Sequence, residues 1–199
     1  MKKKFFVFAA AAMMTTGVFA QVSFGVKAGL NLSKYTVEFG DESETSDNRI
    51  SAAFGGFMNY QLSDKFSIQP ELLISMEGGK EESSVEGFDI KSTSKITFLN
   101  IPVMAKANIA NGLYLEAGPQ LGFKLSAKNE MEAAGQSKEE DIEDMKSMNF
   151  ALGIGAGYEM ENGLGIGLRY NLGLSNLYDG EGDGTYKINT INIGVSYKF

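Results

Sequence analysis

Five charged side chains share one phase of an alternating pattern: Lys27, Glu71, Lys106, Glu116 and Arg169, with Gln69 and Gln120 beside them on that phase. Carboxylates and cations brought together in this way either move protons or neutralise one another. The chain has no His and no Cys. That removes the commonest general base, the commonest metal ligand and any thiolate site or disulfide. A Ser–His or Asp–His hydrolytic site cannot be assembled from such a chain. A carboxylate-only mechanism would need a placed pair of Asp or Glu residues, and no spacing demands one. DGEGDG at Asp179–Gly184 resembles the start of a calcium loop. The position that needs a bidentate Glu holds Thr190, so a solvated acidic loop is the better reading. The glycine runs GIGAG (153–157) and GLGIG (163–167) echo phosphate-binding loops but open no helix. No catalytic residue, cofactor or metal is predicted.

The elements that must position these charges are strands. From Val22 to Ser33, Val22, Phe24, Val26, Ala28, Leu30 and Leu32 alternate with Ser23, Gly25, Lys27, Gly29, Asn31 and Ser33. Strict period two marks a strand with one apolar face. The pattern recurs from Phe66 to Met76, from Leu113 to Leu125, and in three further stretches that end at Phe199. Two stretches are less clean: one puts Phe57, the other Phe98 and Met104, on the polar phase. Counting both gives eight strands. Short connections (SDK, IANG, ENG) alternate with long polar ones at 38–49, 79–94, 128–147 and 176–185. KEEDIEDMK, at 138–146 in the third long connection, reads as a short helical turn or as a solvated charge run.

Short turns on one side and long loops on the other are expected of an outer-membrane barrel. The polar face supports that reading, because it is dominated by glycine rather than by the Lys and Glu of a water-facing surface. Glycine fits where the walls of a narrow lumen crowd together. The apolar face carries Phe24, Tyr60, Phe66, Tyr158, Tyr197 and Phe199 near strand ends, matching the aromatic girdle at a lipid–water boundary. The expected fold is therefore all-β: an eight-stranded antiparallel up-and-down transmembrane β-barrel. Pro70, Pro102 and Pro119 lie inside its strands, where bulges or ladder gaps are expected.

Residues 1–20 read as a signal peptide, with Lys2–Lys4, an apolar run and a small-residue cleavage pattern at Val18–Ala20. Residues 21–199 form the barrel domain. The formal charge of −7 disfavours nucleic acid. The long connections carry −4, −2, −4 and −3 in chain order, so the acid gathers on one rim. That rim could hold divalent cations loosely or simply confer solubility. The expected partners are outer-membrane lipid and, through Phe199, the barrel insertion machinery; a further protein partner is left unnamed.

FLNIPVMAKA, LYLEAGPQLGF, the stretch from Phe150 to Leu177 and the terminal INIGVSYKF are similar to the outer-membrane β-barrel domain of porin-like proteins common in Bacteroidota. The Ile101–Pro102 and Ala117–Pro119 steps are the most specific marks. This resemblance implies an outer-membrane location and an eight-stranded barrel, but no defined reaction. Three functions follow as expectations. The first is a non-enzymatic membrane protein that stabilises the envelope or presents loops. The second is a narrow channel or uptake component for small solutes, and the third a soluble periplasmic lipid-binding barrel. Counting up from the turns, Glu71 is expected to pair with Arg169 or Lys27 and Glu116 with Lys106. Together they would plug the lumen.

Overall fold

The computed structural model describes residues 21–40, 42–85, 88–133, 136–180 and 184–199. The expected signal peptide and residues 181–183 of the DGEGDG stretch lie outside the described residues. The strands are β1 (Val22–Phe39), β2 (Glu42–Thr45), β3 (Asp47–Gln61), β4 (Phe66–Val85) and β5 (Phe88–Asn108). They continue with β6 (Leu113–Ala133), β7 (Gln136–Asp141), β8 (Met148–Glu159), β9 (Leu164–Gly173) and β10 (Thr185–Lys198). Eight of them form an antiparallel ring in chain order, β1–β3–β4–β5–β6–β8–β9–β10. The ring closes where β10 pairs with β1, from Gly25↔Lys198 to Glu38↔Thr185. Closure leaves no open edge around the wall. The short β2 and β7 add to β1 and β6 beyond the ring.

Period two sets inside from outside. Phe24, Val26 and Leu30 on β1, Ile154 on β8, Leu168 on β9 and Ile193 and Val195 on β10 are exposed around the outer wall. Asn31, Gln69, Glu71, Gln120, Arg169 and Asn192 are buried on the inner phase. Phe57, Phe98 and Met104, the residues that disturbed the sequence pattern, also point inward and are buried. The alternation is therefore intact in those strands, and the lumen is part apolar. The three short connections are tight. Gly112 and Gly163 turn with φ of 76° and 87°, a region that favours glycine.

The ladder breaks beside two prolines. Between β4 and β5 the pairing jumps from Pro70↔Val103 to Leu73↔Asn100, and between β5 and β6 from Pro102↔Gln120 to Ala105↔Ala117. A proline has no N–H to give a ladder, which accounts for gaps at these points. Pro119 disturbs its other neighbour less, since β6 and β8 pair without interruption through Pro119↔Leu152.

Two expectations about the long connections are corrected. Residues 79–94 are largely strand, with β4 and β5 paired out to Val85↔Phe88. The stretch 138–146 forms no helical turn, because Gln136–Asp141 is β7, paired with β6 from Lys128↔Asp141 to Ala133↔Gln136. Cross-strand ion pairs explain the choice. Lys128 reaches Glu139 at 2.6 Å, and Lys95 reaches Glu130 at 2.8 Å and Glu139 at 3.4 Å. These contacts hold the Lys128 and Lys95 ammonium groups above the usual lysine value, chiefly through the hydrogen bonds they donate to Glu139 and Glu130 respectively. The hydrogen bond from Lys128 lowers Glu139 in turn. A helix would have lost the alternate spacing that brings these charges together.

Candidate functional site

The lumen is filled in layers, and its charged layer is built around one arginine. Arg169 on β9 donates from Nη1 to Glu71 Oε2 at 2.8 Å and from Nη2 to Glu71 Oε1 at 2.7 Å. Its Nε donates to Glu116 Oε1 at 2.7 Å. One planar guanidinium thus ties β4, β6 and β9 together, with a bidentate fork on one carboxylate and its Nε–H on another. Lys27 Nζ stands 3.8 Å from Glu71 Oε2, and Gln69 Nε2 donates to Glu71 Oε1 at 2.8 Å.

Glycines on β8, which lies between β6 and β9, make the room. A Cβ on Gly155 would lie 3.1 Å from Glu116 Oε1, and one on Gly157 only 2.3 Å from the Tyr114 hydroxyl. The GIGAG run is thus a recess for this knot. Glu71 is brought to both of its expected partners. The expected Glu116–Lys106 pair is corrected. The two residues are register neighbours, yet Glu116 turns to Arg169, while Lys106 donates to Gln69 Oε1 at 3.2 Å. The Lys106 ammonium also lies over the Tyr114 ring, 3.7 Å from its centroid, a cation–π contact. Arg169 and Glu116 both pair in register with Gly155 on the intervening β8, so the arginine reaches the carboxylate over a residue that has no side chain.

Above the knot lies a layer of neutral polar side chains. Asn31 Nδ2 donates to Ser75 Oγ at 3.0 Å and to the Met76 carbonyl at 2.8 Å. Asn192 Nδ2 donates to Asn31 Oδ1 at 2.8 Å. The cavity between these residues and Arg169 is about 10 Å³, the size of a single water. Glu77 follows, buried, its Oε1 accepting from Ser75 Oγ and Asn100 Nδ2 at 2.9 Å each. Both donors are neutral.

The loop end is closed by an apolar cap that sequence reasoning missed. Tyr35, Ile96, Phe98, Ala127, Met145, Leu177 and Ile188 form one buried cluster, and Tyr186 stacks on Tyr35 with centroids 4.9 Å apart. The signal was present as the out-of-pattern Phe98. Its partners come from distant strands at matching height, which only the register reveals.

The six boundary aromatics lie at the opposite, turn end. Tyr60 is paired with Val22 and Ile68, and Tyr158 with Leu113 and Ile166. Phe24, Phe66, Tyr158, Tyr197 and Phe199 are exposed, while Tyr60 is half-buried. Phe199 donates its backbone N–H to the Phe24 carbonyl at 2.8 Å and packs edge-on against Tyr197 at 5.5 Å. Among the described residues no cluster of three or more His, Cys, Asp or Glu side chains could hold a metal ion.

Among solved structures, the chain is similar to Ail, the attachment invasion locus protein of Yersinia pestis. The two share 16% identity over 90% of this chain and 99% of that one, with a TM-score of 0.52. Neisserial surface protein A matches at 14% identity over 89% and 99%, with a TM-score of 0.43. The outer membrane protease OmpT from Escherichia coli matches at 11% over 94% and 99%, with a TM-score of 0.39. At these identities a likeness concerns the fold alone, and of these three the Ail superposition is the one close enough to carry it. No curated protein matches the sequence. A family model described as "outer membrane protein beta-barrel domain" matches residues 19–179. That match covers most of the chain and agrees with the closed ring of eight antiparallel strands, and the chain belongs to this family as an outer-membrane β-barrel protein.

Proposed function

We propose that this barrel is a closed, non-enzymatic envelope protein that acts through its wall and its extracellular strands rather than through a pore. The observation that carries this reading is the double seal of the lumen. The Arg169–Glu71–Glu116 knot fills the lower half, and the cap around Phe98 fills the upper. Eight strands enclose only enough space for side chains, and here side chains occupy it. The absence of His and Cys from the sequence supports a non-enzymatic role. The acidic hairpins of β4–β5 and β6–β7, which stand beyond the apolar belt, are the surfaces such a protein offers outside the cell. Residues 1–20 serve as the leader cleaved on export, and exposed Phe199 at the end of β10 is the mark read by the insertion machinery.

The rival reading is a narrow channel for small solutes, and electrophysiology separates the two. Purified protein in planar bilayers is expected to show no steady conductance at neutral pH. A stable, ion-selective current from the wild-type protein would overturn the closed-barrel reading and establish the channel.

A further inference from the structure

One stretch of the lipid-facing wall is not smooth. Gly56 occupies an outward position on β3 between Phe54 and Met58, both of which are exposed. Phe24, Met58, Pro70 and Leu72 border it in a shallow, open groove of about 490 Å³, with Phe57 among the residues beneath. Phe57 packs tightly under β1, since a Cβ on Gly25 would lie 2.2 Å from its ring. Phe57 forms part of the groove's floor, and Glu71 of the knot borders the same floor from β4. The ladder is interrupted on both sides of Pro70. Between β3 and β4 the pairing jumps from Phe57↔Glu71 to Tyr60↔Ile68, and between β4 and β5 from Pro70↔Val103 to Leu73↔Asn100.

We propose that this groove is a binding site for one acyl chain of a phospholipid from the periplasmic leaflet. The groove is continuous with the apolar belt that touches hydrocarbon, and it opens outward to that hydrocarbon. Its depth selects the leaflet. Phe24 lines the groove, and Phe66 and Tyr60 stand close to the short turn that joins β3 to β4, at the periplasmic end of the barrel. Lys65, exposed in that turn, stands at headgroup level below the groove, where a lipid phosphate meets a cation. The neighbouring wall, beyond β1, shows how such a site differs from ordinary belt. There β9 and β10 pair without a break from Thr190↔Asn171 to Tyr197↔Leu164, and outward Leu168, Ile193 and Val195 are all exposed side chains.

The test fills the groove. A Cβ on Gly56 meets nothing nearer than the Gly25 carbonyl at 3.5 Å, so Gly56→Phe extends outward without a clash. Mature protein reconstituted in phosphatidylethanolamine–phosphatidylglycerol bilayers is released into mild detergent and weighed by native mass spectrometry. The wild type and a Val195→Phe control are expected to retain one phospholipid, and Gly56→Phe to lose it. The chain has no tryptophan, so Met58→Trp supplies an independent reading. Its fluorescence is expected to be quenched by chain-brominated phospholipid at lower mole fractions than that of Val195→Trp. Equal lipid retention by wild type and Gly56→Phe, equal quenching at the two tryptophans, or a dimer that carries no lipid would each overturn the site.

Discussion

Glu71→Ala is expected to lower the free energy of unfolding from lipid vesicles by about 3–5 kcal/mol, the usual cost of removing one member of a buried ion pair. The size follows from what is left behind. Arg169 loses the two hydrogen bonds of its fork, at 2.8 and 2.7 Å, and keeps only Glu116. Lys27 loses the carboxylate it faces at 3.8 Å. Two buried cations then compete for one acid in a space with little room for water. Glu77→Gln is the matched comparison. Its Oε1 accepts from Ser75 and Asn100, both neutral donors, and glutamine keeps that acceptor. Its expected cost is within about 1 kcal/mol, the net worth of an ordinary hydrogen bond. Urea titrations in vesicles read both variants. Equal losses would mean that charge pairing does not organise the knot, and a Glu71→Ala protein as stable as the parent would remove the knot as a source of stability.

Phe98→Ala is expected to cost about 3–5 kcal/mol as well, from lost apolar burial and the cavity left in the cap. Phe98 is fully buried against Tyr35, Ile96 and Leu177. It also sits where the β5–β6 register shifts, between Thr97↔Ser126 and Phe98↔Lys124. The neighbours therefore have limited freedom to collapse inward. Phe98→Leu, which keeps most of the volume, is expected to lose less than half as much. Neither variant opens a path through the barrel, because the Arg169 knot lies below the cap and is untouched. Steady conductance in Phe98→Ala alone would make the cap the sole barrier and give the knot a purely structural part.

Period-two alternation is a local property, and it was sufficient to place every wall strand and to set the outward face from Phe24 to Phe199. The tight turns were equally legible, since Gly112 and Gly163 sit where a reversal needs a left-handed residue. The inward charges were legible too, because a polar residue on the inner phase of a narrow barrel has nowhere else to point. Who meets whom was not legible. Lys106 and Glu116 are opposite one another in register, yet Arg169 takes the carboxylate, because it reaches Glu116 on β6 over Gly155 while its fork crosses the lumen to Glu71 on β4. The extent of β4, β5 and β7 was hidden as well. Beyond the belt both faces meet water, so no apolar alternation marks a strand, and cross-strand ion pairs such as Lys128–Glu139 hold it instead. The apolar cap and the groove at Gly56 belong to the same class of feature. Each is assembled from residues far apart in the chain, and only strand tilt and register, fixed when β10 closed on β1, brought them to one height.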